Sequence, residues 1–256
     1  MKLRLLVLFV LALTLVFFAS TVTADDVKFP PVADLEPQVD AYVKELDKVL
    51  EDATDDFAGN VDALKRDANT LILITLSLGM MPEDNKYKES AAGIIAAAQG
   101  MNDVKKLDDA KKVVEAIKAS LAVKSDAKLE WSKVAAMEPV MKLAVSKINT
   151  KTNTFARSDR YLKRGVENVA FGTAALSVFF QGLLPNYDET EKPEAKDQWV
   201  KFSTEFHNRA LVANQAVHDF DSGKVDFDTF KKAYTEMKEE CDVCHEVFVA
   251  GGVTVE

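Results

Sequence analysis

The sequence predicts an all-α protein, on three observations. Apolar residues recur at spacings of three and four along most of the 256-residue chain, the period of one face of a helix. Runs that alternate apolar and polar residues, the mark of a half-buried strand, are absent. Glycine and proline number only 10 and 7, which leaves long stretches unbroken, as a helix bundle requires.

The first segment has the layout of a secretory leader. Lys2 and Arg4 precede an apolar run from Leu5 to Phe18 that only Thr14 interrupts, and Val22-Thr23-Ala24 then stands before Asp25-Asp26. Residues 1–24 therefore read as a signal peptide cleaved near Ala24, which sends the mature chain to the periplasm or another exported compartment. The apolar run is short for a bilayer span of about 20 residues. An uncleaved anchor is the alternative, and no stable membrane insertion is expected after cleavage. Loss of Lys2 and Arg4 takes the formal charge from −9 to −11, because the leader has no acidic residue. Such an acidic chain is a poor match for nucleic acid, whose phosphates call for Lys and Arg. It suits a partner with a basic docking patch.

An internal repeat organises the rest. Leu35-Glu36-Pro37 and Met137-Glu138-Pro139 each open a helix, with proline in the first turn, where its missing N–H costs nothing. A second helix carries Leu64-Lys65-Arg66 in one half and Leu162-Lys163-Arg164 in the other. A third begins near Tyr87 or Trp199, and a fourth carries Lys111-Lys112 or Lys231-Lys232. Four matches in one order point to an ancient duplication. Chance likeness between helices of similar composition is the alternative. The expectation is two four-helix-bundle halves, 32–123 and 130–249, joined by a polar hinge at 124–129. The acid- and proline-rich stretch from Pro185 to Lys196 is the longest break, an insertion relative to the first half.

The last helix carries the chemistry. Phe227, Phe230, Tyr234, Met237, Cys241, Cys244 and Phe248 are spaced three, four, three, four, three, four, a single stripe facing a bundle interior. Both cysteines of the chain lie on it, and His245 follows at once. Two cysteines three apart with a histidine after the second form a CxxCH string, which reads as covalent haem attachment. One helical turn lets two thiols reach the two vinyl groups on one porphyrin edge, and a proximal histidine holds the iron. A redox CxxC would need a βαβ setting. A zinc site would need four ligands, and only His207 or His218 could complete it. A plain disulfide is the remaining alternative.

With those residues in place, the second half resembles a class II c-type cytochrome, the cytochrome c prime type, in which a four-helix bundle carries CxxCH near the end of its last helix. The stretch from Val225 to Phe248, with phenylalanine three residues after the histidine, carries the likeness. The first half matches only through the repeat. Aligned on the paired lysines, it has Leu121, Lys124 and Ser125 opposite Cys241, Cys244 and His245. It contains no cysteine or histidine, so it is expected to be haem-free. The family often has a basic residue after that phenylalanine, where this chain has Val249.

The resemblance implies one covalent haem c per chain, with Cys241 and Cys244 as attachment points and His245 as proximal ligand. It puts the distal residue early on the helix that opens at Glu138-Pro139, which makes Met141 the candidate sixth ligand and Met137 its substitute. The repeat sets Val39 opposite Met141. Val134, Met137, Met141, Ala144 and Ile148 would share a face if the helix runs through the proline. Met137, Met237, Tyr234 and Phe248 are haem-pocket candidates. Tyr161, Phe171, Phe179, Phe180 and Trp199 are expected as core or pocket wall, and Gly165 and Gly172 as points of close helix approach. His207 and His218 fall beside the apolar face of their helix and are expected at the surface. No acid, base or nucleophile constellation suggests an enzyme. The expected function is a periplasmic electron carrier between redox partners, with a five-coordinate haem protein that binds small gases as the alternative. Dimers are common in the family. Here the duplicated half is expected to replace the second subunit, with a homodimer as the other outcome.

Overall fold

The computed structural model describes residues 27–249, and the expected leader at 1–24 lies outside them. Helix α1 is Val32–Asp52, α2 Phe57–Met80, α3 Ala91–Gln99 and α4 Leu107–Ser120. A continuous helix over 137–156, α5, begins with the turn Met137–Pro139, passes through a π turn at Val140–Ala144 and ends as the regular helix Val145–Ala156. Then come α6, Asp159–Gly182, α7, Lys196–Asp221, and α8, Phe227–Phe248. Among the described residues there is no strand, and no helix is long and apolar enough to cross a membrane.

Local signals explain where several helices begin. Asp56 caps α2 by accepting from Gly59 N at 3.0 Å, and Asp226 caps α8 by accepting from Thr229 N at 2.9 Å. Such caps satisfy N–H groups that a first turn leaves without partners. Pro139 sits in the first turn of α5. Pro37 does not open α1, which starts five residues earlier at Val32 and holds that proline inside.

Two helices are buried nearly all round. Residues Asp67 to Leu78 of α2 and Val169 to Gly182 of α6 are almost wholly inside, except Phe171, the pattern of central helices rather than surface ones. They pack on each other, and Leu73 lies so close to Gly182 that a Cβ there would meet its Cδ2 at 2.6 Å. The four N-terminal helices pack in chain order, and α4 returns onto α1. In the C-terminal set α5 packs on α6, α6 on α7 and α7 on α8.

Polar bonds also join the two sets. Gln38 Nε2 donates to Phe171 O at 3.0 Å. Ala136 N donates to Asn69 Oδ1 at 2.7 Å, tying the entry of α5 to α2. Asp34 Oδ2 on α1 accepts from Asn214 Nδ2 at 2.8 Å and lies 2.7 Å from His218 Nε2, both on α7.

Those bonds correct the reading of the histidines. His207 is buried, with Nδ1 2.9 Å from Ser177 O and Nε2 3.1 Å from Lys28 O. Burial lowers its pKa, and the two carbonyls only partly offset this. His218 is half-buried against Asp34. The segment around Lys28, far away in sequence, covers a ring that the periodicity of α7 places at the boundary. Tyr161 is also not core: it is 37% exposed, with the Arg157 guanidinium 3.7 Å over its ring.

Candidate haem slot between α5 and α8

The stripe on α8 is buried as its spacing predicts. Phe230, Tyr234, Met237, Cys241, Cys244 and Phe248 all face inward, and Phe227 is partly covered at the helix start. Both thiols are free. Burial raises the Cys241 pKa to about 12 and that of Cys244 to about 11, so both are neutral thiols at ordinary pH. Such buried thiols are poor nucleophiles and poor ligands for a bare metal ion.

Helices α5 and α8 meet at one end and part at the other. Tyr234 Oη donates to Asn153 Oδ1 at 2.8 Å, and Lys231 Nζ donates to Ala156 O at 3.4 Å. Numbers rise along one helix as they fall along the other, so the pair is antiparallel. Beyond this closed end lies a cavity of about 710 Å³, well within the range for small-molecule and cofactor sites. Its α8 wall is Cys241, Cys244, His245 and Phe248. Its α5 wall includes Met137, Met141, Val145, Asn149 and Asn153. Phe180 and Trp199 supply further apolar wall. The Trp199 indole N–H donates to Leu184 O at 3.2 Å, which leaves its ring to pack edge-on against Phe248 with centroids 5.6 Å apart.

Depth along the slot follows from helix geometry. Met141 lies twelve residues before Asn153, and His245 eleven after Tyr234. At 1.5 Å per residue both stand about 17 Å from the closed end, on opposite walls.

The row on α5 has a structural cause. Met137, Met141, Val145, Asn149 and Asn153 come at every fourth residue, and in a regular α-helix such a row drifts by about 40° per step. The π turn at Val140–Ala144 takes up one extra residue. This sets the drift back and keeps both methionines in line with Val145. The expected common face of Met141 with Ala144 and Ile148 is therefore not formed. Ala144 and Ile148 join Val140 in the buried core, while Met137 and Met141 stay half-buried over the slot.

The stretch from Pro185 to Lys196 borders the mouth. It forms short 3-10 turns at Leu184–Glu189 and Pro193–Ala195. Glu189 Oε2 accepts from Met137 N at 2.9 Å, and Asn186 Nδ2 donates to Ala135 O at 2.9 Å. These bonds hold the start of α5 in place. Glu189, Thr190 and Glu191 line the opening. Across from them Lys142 pairs with Glu138 at 2.9 Å.

Of the pocket residues expected from sequence, the slot brings together Cys241, Cys244, His245, Met137, Met141, Phe248, Phe180 and Trp199. Met237 is buried on the stripe without lining the slot, and Tyr234 closes its inner end. Phe179 is in the core away from the cavity, and Phe171 lines a separate cavity of about 270 Å³ between α1, α5 and α6. Sequence reasoning missed Val145, Asn149, Asn153 and the Glu189 to Glu191 lip. Continuing the every-fourth row from Met141 would have found the first three. Gly165 and Gly172 are points of close approach, as expected. A Cβ on Gly165 would meet Phe155 Cδ1 at 2.1 Å, and one on Gly172 would meet Thr152 Oγ1 at 2.2 Å.

The first half offers a contrast. Val39, which the expected repeat sets opposite Met141, is fully buried, and α4 ends at Ser120, short of the positions the same alignment sets opposite the two cysteines and the histidine.

Comparison of the chain with protein-family models, curated proteins and solved structures finds no match.

The residues present fit a haem. Two neutral thiols and an imidazole stand on one wall, the thioethers of Met137 and Met141 stand on the other, and Val145, Phe180, Trp199 and Phe248 supply apolar lining. The neighbours needed for a zinc site are committed elsewhere, since His207 and His218 are held by Ser177, Lys28 and Asp34.

Proposed function

We propose that this chain is an exported monohaem c-type cytochrome that carries single electrons between redox partner proteins. One haem c per chain would be held covalently by Cys241 and Cys244, with His245 as proximal iron ligand and Met141 as distal ligand. The observation that carries this reading is the slot itself: Cys241, Cys244 and His245 line the α8 wall and Met141 lines the α5 wall of one cavity, at about the same distance along their helices from its closed end. When bound, the haem supplies one-electron iron chemistry, tuned by its axial ligands and by burial.

The chain's own residues supply the rest. The Cys241 and Cys244 thiols would hold the haem as thioethers, each neutral thiol having the hydrogen that addition across a vinyl group requires. The His245 imidazole would hold the iron from the α8 wall. The Met141 sulfur, kept over the slot by the π turn, would be a soft ligand that favours the reduced state and raises the potential. Phe180, Trp199 and Phe248 exclude water. The carboxylates of Glu138, Glu189 and Glu191 stand at the mouth, where a partner with a basic patch would dock.

In this reading the two sets of four helices are duplicated bundles, 32–123 and 130–249, of which the first has lost or never had a haem. It serves as a structural partner in place of a second subunit, and the leader at 1–24 directs export.

Absorption spectra of the reduced protein with and without carbon monoxide test the assignment. A low-spin spectrum that carbon monoxide changes only slowly is expected. A high-spin spectrum with rapid binding would replace the carrier by the gas-binding alternative, in which Met141 only covers the iron.

A further inference from the structure

Asn149 is a buried polar side chain in the slot that has no hydrogen-bond partner among the described residues. The residue is 7% exposed and lines the cavity. Its neighbour in the row, Asn153, has its carbonyl engaged by Tyr234. The charged groups of the slot, Glu138, Lys142, Glu189 and Glu191, stand at the other end, with His245 between. A primary amide has two donors and a carbonyl acceptor, and leaving such a group dry and unpaired is costly. Buried polar groups of this kind are nearly always satisfied by something.

The occupant of the slot is the available partner. A haem is apolar across its face, and the hydrogen-bond acceptors on its rim are two carboxylates. Met141, at the depth of His245, lies eight residues before Asn149, about 12 Å away along α5. A molecule bound to the iron on the Met141 side is therefore out of reach of the amide. We infer that Asn149 donates a hydrogen bond to one haem carboxylate, holding that carboxylate at the inner end of the slot once Cys241 and Cys244 have set which way round the haem is seated. An amide does this without adding a charge to an apolar cavity, where an unpaired ammonium would be expensive. The inference rests on the haem reading given above.

The test uses the mature, haem-loaded protein carrying haem isotope-labelled at its carboxylates. Redox-difference infrared spectra are recorded for wild type, Asn149→Leu, Asn149→Ala and Asn149→Gln. One of the two carboxylate bands is expected to shift in the Leu and Ala variants and to return toward its wild-type position in the Gln variant, which keeps the donor. The Ala variant gives the same readout should Leu be too bulky to fold. Unchanged carboxylate bands would overturn the inference. So would a shift confined to the stretch of iron-bound carbon monoxide, because it would assign the amide to the axial ligand. Absence of pigment in the wild type would sink the haem reading itself, and the visible spectrum shows this before any variant is made.

Discussion

Tyr234 and Asn153 form the hinge of the slot: the phenol donates to the Asn153 side-chain carbonyl at 2.8 Å, and from that point α5 and α8 diverge toward the mouth. The phenol is buried on the stripe next to Phe230, ring centroids 5.8 Å apart. Tyr234→Phe keeps the ring and removes the bond. It is expected to lower stability by about 1 kcal/mol, read from denaturant unfolding, without preventing pigment formation. Unchanged stability would show that the bond does not hold the two helices together.

Met141→Leu removes the thioether that lines the slot on the wall opposite His245 and keeps its bulk. The reduced spectrum is expected to become high-spin, carbon monoxide binding to accelerate and the midpoint potential to fall, since methionine ligation raises it. Met137→Leu, one turn nearer the mouth, is expected to leave all three readouts in place. The reverse pattern would move the ligand to Met137.

The thiols make a prediction about pH. In the haem-free folded chain Cys241 and Cys244 titrate near 12 and 11, above the ordinary value of 9.0. The unfolded state therefore loses its thiol protons first as pH rises, and folding stability falls with it. Their contribution is whole below pH 9 and drains away between about pH 9 and 12. The covalently loaded protein has thioethers with no proton to lose. Urea unfolding at several alkaline pH values should show this loss for a Cys-intact, haem-free preparation and a smaller one for the pigmented protein. Equal slopes would contradict the account of the buried thiols.

Gly172 and Gly165 let α6 approach α5 closely. A Cβ on Gly172 would stand 2.2 Å from Thr152 Oγ1, so the helices must part or the threonine must turn. Gly172→Ala is expected to destabilise by about 1–3 kcal/mol, measured by thermal unfolding. A Thr152→Ser partner substitution offers the new methyl little relief, because the clashing hydroxyl remains, whereas Thr152→Ala removes it without the helix cost of glycine and should restore part of the loss.

The stripe on α8 was legible because a single helical period, kept from Phe227 to Phe248, determines both burial and the inward aim of the cysteines. Helix content followed from the same period. The α5 wall was less legible. Its π turn is a packing compromise, in which Val140, Ala144 and Ile148 seek the core while Met137 and Met141 stay over the slot, and no local residue pattern announces it. His207 was misjudged for a different reason: its cover comes from Lys28, 179 positions away, and the periodicity of α7 has no access to that. Tyr161 erred the other way, because an aromatic ring under Arg157 is satisfied at the surface. The acidic lip at Glu189 to Glu191 reads as a loop in sequence. Only its bond to Met137 N makes it part of the site.

The claim at the centre is that Cys241 and Cys244 hold a haem through bonds that outlast the fold. The mass of the intact mature polypeptide, produced in a host competent for cytochrome assembly and measured under denaturing conditions, tests it most directly. The account predicts a chain beginning near Asp25 that carries the added mass of one haem. A bare chain, or one lighter by the two hydrogens of a disulfide, would contradict it.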